Sequence, residues 1–181
     1  MLDHAAKWDA APDWSTAVLE AAGATVRSLD LPDMALVGGD LGAFGRASGF
    51  DPQGAGALGA VDGDGYTVRL ARDRLLAVGP LPGTVREGWN DAGFAITPSG
   101  GAEHVFQLAG EGVPALLSRA TTLDPAKPGP CAAIGFAGIP AVLYRHGPSG
   151  ALRLHVERGL AVYLWSWLGG AAAGPDHGLR A

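Results

Sequence analysis

Cysteine is almost absent from this chain, since Cys131 is the only one among 181 residues. A lone cysteine excludes an internal disulfide, so nothing in the sequence points to an oxidising compartment. Clusters of basic residues are also missing, and the formal net charge is -5 at pH 7. Nucleic acids and anionic membranes are therefore poor candidates for the main partner, because both are bound through concentrated Lys and Arg.

Long hydrophobic runs and targeting signals are missing too. Residues 1–9 lack the charged-then-apolar pattern of a signal peptide, so we expect a cytoplasmic protein. The most apolar segment, residues 159–168, is far shorter than the roughly 20 apolar residues that a membrane-spanning helix needs.

Glycine and proline are abundant, with 29 and 13 residues, which indicates many turns and short elements. The chain is long enough for one domain with a substantial core. We expect residues 1–65 to form an N-terminal arm and a Gly-rich loop, because the stretch 38–65 is poor in large apolar side chains. The folded domain would then cover residues 66–170, and residues 171–181 would form a flexible tail.

Short apolar runs bounded by turn residues give the secondary structure. Strands are predicted at 66–70, 75–78, 94–97, 104–108, 131–136, 141–145 and 152–156. Helices are predicted at 15–22, at 83–90, from Pro114 onward and at the carboxyl end of the chain. A weak repeat, in which Trp89 corresponds to Trp167, favours two related strand-and-helix units. The pattern predicts an α+β fold of two layers, with helices on one face of an antiparallel sheet.

Motifs for cofactor or metal binding are weak. Residues 54–59 have the spacing G-x-G-x-x-G, with Asp73 at the distance of a ribose-binding acid, but no predicted strand precedes them and no helix follows. Asp62 and Asp64 fit a turn better than a calcium loop. The five histidines are scattered, and His155 alternates with apolar residues in a strand, so we expect it at a surface or an interface.

Signals for nucleophilic catalysis are equally weak. Ser149 lacks the spacing G-x-S-x-G, and Cys131 has no basic neighbour in sequence to stabilise a thiolate. Glu157 and Arg158 fit structural roles at a helix start, and Arg145 could bind a carboxylate or pair across an interface. We therefore predict no catalytic, cofactor-binding or metal-binding residue in this chain.

The segment 157–168 is the most informative part of the sequence, because a helix built from it would be apolar on nearly every face. Such a helix is buried on more than one side. Two interpretations are open: the helix docks on a partner protein, or it packs on its own sheet with one tryptophan partly exposed. For the first, the candidate interface residues are Tyr163, Trp165, Trp167 and Arg145.

Several segments resemble those of a known family. They are RLLAVGP at 74–80, VFQLAG at 105–110, LLSRATTLD at 116–124, PGPCA at 128–132 and ERGLAVYLWSWL at 157–168. Through them, residues 66–168 resemble the gamma subunit of heterotetrameric sarcosine oxidase. The resemblance implies a fold related to the folate-binding domain of the glycine-cleavage aminomethyltransferase, with ferredoxin-like units.

The resemblance also implies a role and partners. The complex would oxidatively demethylate sarcosine or a related N-methyl amino acid and pass the one-carbon unit to tetrahydrofolate. Its larger alpha and beta subunits would hold NAD, tetrahydrofolate and the flavins FAD and FMN, and its small delta subunit would hold zinc. The gamma subunit itself would carry no cofactor and no catalytic residue. The alternatives are a free-standing folate-binding, aminomethyltransferase-like protein and a binding module outside this family.

Overall fold

The computed structural model describes residues 10–21, 23–31 and 33–172. Its strands are β1 Val18–Ala21, β2 Ala24–Leu29, β3 Met34–Gly39, β4 Ala60–Val61, β5 Tyr66–Ala71, β6 Arg74–Val78, β7 Gly88–Asn90, β8 Phe94–Pro98, β9 Glu103–Ala109, β10 Ala133–Phe136, β11 Ile139–His146 and β12 Ala151–Glu157. Its α-helices are α1 Leu41–Ser48, α2 Val113–Ala120 and α3 Ala161–Ala172, and a 3-10 turn at Arg158–Leu160 leads into α3.

The strands form two sheets. The large sheet has the order β1-β2-β9-β12-β11-β10, with β4 beside β11, and the small sheet has the order β5-β6-β3-β8-β7. Every pair of neighbouring strands is antiparallel except β4 and β11, which are parallel. The predicted α+β class with antiparallel pairing is confirmed.

Each sheet carries its helices on one face, as predicted, and the two remaining faces pack on each other. Helices α2 and α3 cover the large sheet, and α1 covers the small one. Strand β6 shows how the sequence produces this, because its side chains alternate between faces. Leu75 and Ala77 contact the core under α1, whereas Leu76 and Val78 point into the core between the sheets.

The first 65 residues contribute to both sheets, so the prediction of an arm followed by a loop is wrong. Strand β2 lies inside the large sheet, and β3 is the central strand of the small sheet. Within the expected loop, Asp40 caps α1 by accepting a hydrogen bond from Ala43 N at 2.8 Å, and Phe44 is fully buried. The mean composition of this stretch concealed one strong cap and one large apolar side chain.

Two predicted helices are strands instead. In residues 15–22, the Asp13 side chain accepts from Ser15 N at 3.1 Å and closes a turn, after which β1 pairs with β2. In residues 83–90, Gly88 has φ of 78°, outside the helical range, and β7 pairs with β8. Trp89 therefore lies on a strand and Trp167 on a helix, which removes the predicted repeat.

The predicted strands from residue 66 onward all correspond to strands of the structure, with shifts of one or two residues at their ends. The helix predicted from Pro114 is α2, with the proline in its first turn. Helix α3 extends to Ala172, and the rest of the predicted tail lies outside the described residues.

Candidate functional site

Helix α3 was predicted to be the docking element, and most of its apolar surface is covered by its own chain. Leu164 and Leu168 are fully buried against the large sheet. The ring of Trp165 lies 5.6 Å from that of Trp14 and 5.9 Å from that of Phe106, measured between centroids. None of the helices in the described ranges is long and apolar enough to cross a bilayer.

The outer side of α3 is marked by Tyr163 and Trp167. Tyr163 is 47% exposed, and its hydroxyl donates to the carbonyl of Ala137 at 2.9 Å. Trp167 is partly buried and meets the ring of Phe136 edge to face at 6.1 Å. Of the three aromatic candidates on this helix, Tyr163 thus has the most surface available for a partner.

Arg145 lies apart from these aromatic residues on strand β11. It lines a cavity of about 300 Å³ that also borders the first turn of α2 and the turn before β12. Its Nη1 lies 3.4 Å from the carbonyl oxygen of Gly150, so the guanidinium is only weakly held. No hydrogen bond, ion pair or ring contact among the described residues joins Arg145 to the α3 aromatics.

Trp89 is the exposed aromatic side chain that sequence reasoning missed. It lies on β7, the edge strand of the small sheet, and is 63% exposed. The sequence signal was present, because a tryptophan beside Arg86, Glu87 and Asp91 is poorly placed for a core. The helix prediction for 83–90 obscured it.

The Gly-rich segment 54–59 is a packing motif in the structure. A Cβ on Gly56 would lie 1.8 Å from the carbonyl oxygen of Gly129, so only glycine allows the two backbone segments to touch. Arg69 holds the start of the segment by donating to the carbonyls of Pro52 and Gln53 at 2.7 and 2.6 Å. The weak match to a dinucleotide motif is explained by these contacts.

The other weak motifs occupy ordinary structural positions. Asp62 forms a turn in which its carboxylate accepts from Gly63 N at 2.8 Å, as predicted. Ser149 lies exposed in the turn before β12, and the thiol of Cys131 lies 2.7 Å from the carbonyl oxygen of Leu70. Within the described ranges, no group of three or more His, Cys, Asp or Glu side chains is arranged to hold a metal ion.

The prediction that His155 lies at a surface or an interface is wrong. Its side chain is 1% exposed and lies between the two sheets, and His104 is buried as well. The prediction took the polar face of β12 to be its solvent face, whereas the small sheet covers that face. His4 and His177 lie outside the described residues.

His155 belongs to a continuous hydrogen-bonded chain through the core, which we name the buried relay. Its members are Glu103, His155, Tyr144, Tyr66 and Arg153. Glu103 Oε2 lies 2.8 Å from His155 Nδ1, His155 Nε2 lies 2.8 Å from the Tyr144 hydroxyl, and that hydroxyl lies 2.8 Å from the hydroxyl of Tyr66. Arg153 Nη1 donates to the Tyr66 hydroxyl. The relay joins β9, β12 and β11 of the large sheet to β5 of the small sheet.

A neutral imidazole at His155 would make the donors of the relay all point in the same direction. A guanidinium can only donate and an ionised carboxylate can only accept, so the two ends are fixed at Arg153 and Glu103. With a neutral imidazole, the partners assign the proton of His155 to Nδ1, leaving Nε2 to accept from Tyr144. Tyr144 then accepts from Tyr66. In that assignment, the hydrogen bonds run from the donor Arg153 at one end to the acceptor Glu103 at the other.

Burial keeps the relay tyrosines in their neutral form. Desolvation raises the pKa of Tyr66, and it raises the pKa of Tyr144 well above its ordinary value. Beside the relay, burial lowers the pKa of His104, and the nearby charge of Arg158 adds to this effect. Tyr66, Tyr144 and His104 therefore stay uncharged at neutral pH.

Each end of the relay opens into a separate cavity. Arg153 and Tyr66 line a cavity of about 210 Å³ together with His146, which we name the Arg153 cavity. Glu103 lines a cavity of about 460 Å³ with His104 and Trp14 on the opposite end. The relay thus connects two surface openings through the inter-sheet core.

Comparison with known proteins gives a relationship at the level of the fold. No protein-family model matches the chain, and no curated protein matches it. Among solved structures, it is similar to a chain of the heterotetrameric sarcosine oxidase from Corynebacterium sp. U-96 in complex with pyrrole 2-carboxylate. The TM-score is 0.67 and the identity 17%, over 86% of this chain and 87% of that chain. The fold is related to that of a sarcosine oxidase chain.

Proposed function

We propose that this chain is a non-catalytic, gamma-type subunit of a heterotetrameric sarcosine oxidase-like flavoenzyme complex. The observation that carries the proposal is the near-equal coverage in the structural match, 86% of one chain and 87% of the other. Equal coverage means that the two chains have nearly the same length. The similarity is therefore to a whole small chain of a multi-subunit enzyme, and not to one domain within a large subunit.

In this proposal the chemistry takes place on the other subunits. The complex demethylates sarcosine or a related N-methyl amino acid, with NAD, tetrahydrofolate, FAD and FMN held by the alpha and beta subunits and zinc by the delta subunit. The chain described above would support the assembly. One feature agrees with a supporting role: the buried relay ties the two sheets together.

The partner surface is proposed to include the exposed side of α3. Tyr163 is its most exposed aromatic side chain, while Trp165 and Trp167 are shared with the core of this chain. Large aromatic side chains at a surface are typical anchors of protein interfaces. Arg145 would lie at the margin, where its weakly held guanidinium can reach a carboxylate of another subunit.

The proposal is tested by capturing the tagged chain from its own cells and recording the visible spectrum of the eluate. We expect larger companion chains and flavin absorption, and we expect sarcosine to bleach that absorption in the absence of oxygen. A companion complex without flavin would contradict the proposal.

The alternative role has its own test. Saturable tetrahydrofolate binding by the isolated chain, together with a colourless eluate, would favour a free-standing folate-binding protein.

The partner surface is tested by the variant Tyr163→Ala. Its yield of companion chains is compared with that of Ser118→Ala, which changes the exposed side of α2.

A further inference from the structure

The cavity at the Glu103 end of the buried relay, which we name the Glu103 cavity, contains a carboxylate with a partner for only one of its two oxygens. The Glu103 side chain is 18% exposed, and its Oε2 lies 2.8 Å from His155 Nδ1. Within the described residues, Oε1 has no hydrogen-bond partner. An unpaired polar atom of a mostly buried carboxylate is costly, so this oxygen is a candidate acceptor for a ligand.

The charges around the Glu103 cavity favour a cation. Asp30 lines the cavity together with Glu103, and Arg158 is the only permanent cation among the described residues that line it. Arg158 is exposed, and its Nε already donates to the carbonyl of Gly101 at 2.8 Å. Water screens an exposed charge more strongly than a mostly buried one. The carboxylates therefore outweigh the guanidinium inside the cavity.

Two neighbouring side chains add to this imbalance. His104 lines the cavity, and because burial and the charge of Arg158 lower its pKa, it adds no positive charge at neutral pH. Glu157 lies directly opposite Glu103 in the pairing of β12 with β9. Like charges at opposed positions of a sheet destabilise each other. A cation bound at Glu103 would relieve that repulsion.

The walls of the Glu103 cavity define the body of the ligand. Leu29, Leu31 and Met34 line the cavity and belong to the core between the two sheets, so the cavity lies at an open end of that core. Its volume is about 460 Å³, within the range of small-molecule sites. Apolar walls with a carboxylate at one point suit a ligand that has one positive group and a short hydrocarbon chain.

We propose that the Glu103 cavity binds a small primary alkylammonium ion. One N–H of the ammonium group would donate to Glu103 Oε1 in a charge-assisted hydrogen bond, and the alkyl chain would lie against Leu31 and Met34. Asp30 would add to the attraction. The inference rests on this chain alone and does not depend on the proposed subunit role.

Calorimetric titration of the full-length chain with butylammonium chloride tests the inference. The titration is run at constant ionic strength, so that screening is equal throughout, and at about pH 8, above the ordinary pKa of histidine. We expect saturable binding, with butyrate and butanol binding at least about tenfold more weakly. In NMR spectra, binding should shift the imidazole nitrogen resonances of His155, because His155 shares the Glu103 carboxylate with the ligand.

Substitution of Glu103 locates the site. Glu103→Gln should weaken butylammonium binding by about tenfold or more, because it removes the charge and keeps an oxygen for His155. Glu111→Gln is the matched control, since Glu111 is exposed and lies beyond the opposite end of β9. This control should bind like the wild type.

Two further variants keep the test informative if Glu103→Gln fails to fold. Glu103→Asp keeps the charge and shortens the side chain, so it should bind butylammonium with intermediate affinity. Asp30→Asn changes an exposed side chain and should weaken binding several-fold. Absence of saturable butylammonium binding by the wild type would overturn the inference. So would unchanged affinity in the folded Glu103 and Asp30 variants, butyrate or butanol binding as tight as butylammonium, or binding without a shift at His155.

Discussion

Tyr144 makes two hydrogen bonds from a fully buried position, and each bond joins a different strand to β11. Its hydroxyl lies 2.8 Å from His155 on the neighbouring strand and 2.8 Å from Tyr66 on the opposite sheet. A buried hydroxyl of this kind is costly without partners and favourable when fully satisfied. Tyr144 therefore fixes the register of the two sheets in addition to filling space.

We expect Tyr144→Phe to lower the free energy of unfolding by about 1–3 kcal/mol, because it leaves Tyr66 and His155 without their shared partner in a buried site. Urea denaturation measures the change. Tyr163→Phe is the control, since it removes the same hydroxyl from a half-exposed side chain with one carbonyl acceptor. Equal losses in the two variants would show that the relay contributes nothing beyond an ordinary hydrogen bond.

The raised pKa values of Tyr66 and Tyr144 predict a loss of stability in alkali. A phenol whose pKa is higher in the folded state contributes stability that is complete below its unfolded pKa of about 10 and is lost as the pH rises through the folded value. Unfolding free energies from about pH 8 to about pH 11 measure this. A double variant with phenylalanine at both positions should lose less stability over that interval than the wild type. A steeper loss in the double variant would contradict the assignment.

At the residue scale, the sequence was a poor guide to the relay. His155 and Arg153 alternate with Leu152 and Leu154, which is the pattern of a strand with one wet face. That pattern does not show whether the polar face of the strand meets water or a polar layer between two sheets. Pairing Tyr66 with Tyr144 also requires contact between residues far apart in sequence, which local patterns do not contain.

At the scale of elements, α3 distinguishes between the two interpretations of its apolar sequence. Leu164 and Leu168 belong to the core of this chain, and Tyr163 faces outward. Packing on its own sheet therefore applies to the inner side of the helix, and docking on a partner stays a prediction for the outer side. The apolar surface that α3 leaves exposed is narrower than the sequence alone indicated.

Two substitutions on α3 should separate stability from association. Leu164→Ala should cost about 2–5 kcal/mol of unfolding free energy, because it opens a cavity under the helix. Tyr163→Ala should cost less than about 1 kcal/mol, since its side chain is half exposed with one hydrogen bond. Denaturation of the isolated chain measures both. If Tyr163→Ala were the more destabilising variant, the assignment of Tyr163 to the outer side of α3 would be wrong.

The elements predicted correctly were those whose signal is local. Alternating apolar runs between glycine turns identified the strands of the second half, and Pro114 marked the start of α2. The errors arose where one residue overrode the composition around it. Asp40 capped a helix within a Gly-rich stretch, and Gly88 turned an expected helix into an edge strand.

At the scale of the whole molecule, the α+β class could be predicted from the sequence, but the presence of a second sheet could not. Strands β3 and β8 pair with each other although 54 residues lie between the paired residues Gly39 and Phe94.

 The joining segment contains α1, β5 and β6, and β6 returns to pair with β3 on its other side. Pairing over such a distance is set by the fit between apolar faces, which a single sequence does not reveal.

The most direct measurement of the central claim is the mass and composition of the native assembly that contains this chain, determined by native mass spectrometry. The proposed function predicts one stoichiometric complex in which this chain is joined by larger flavin-containing subunits and a small zinc-containing one. A chain that remains a monomer in its own cells, with no bound partner, would contradict the account.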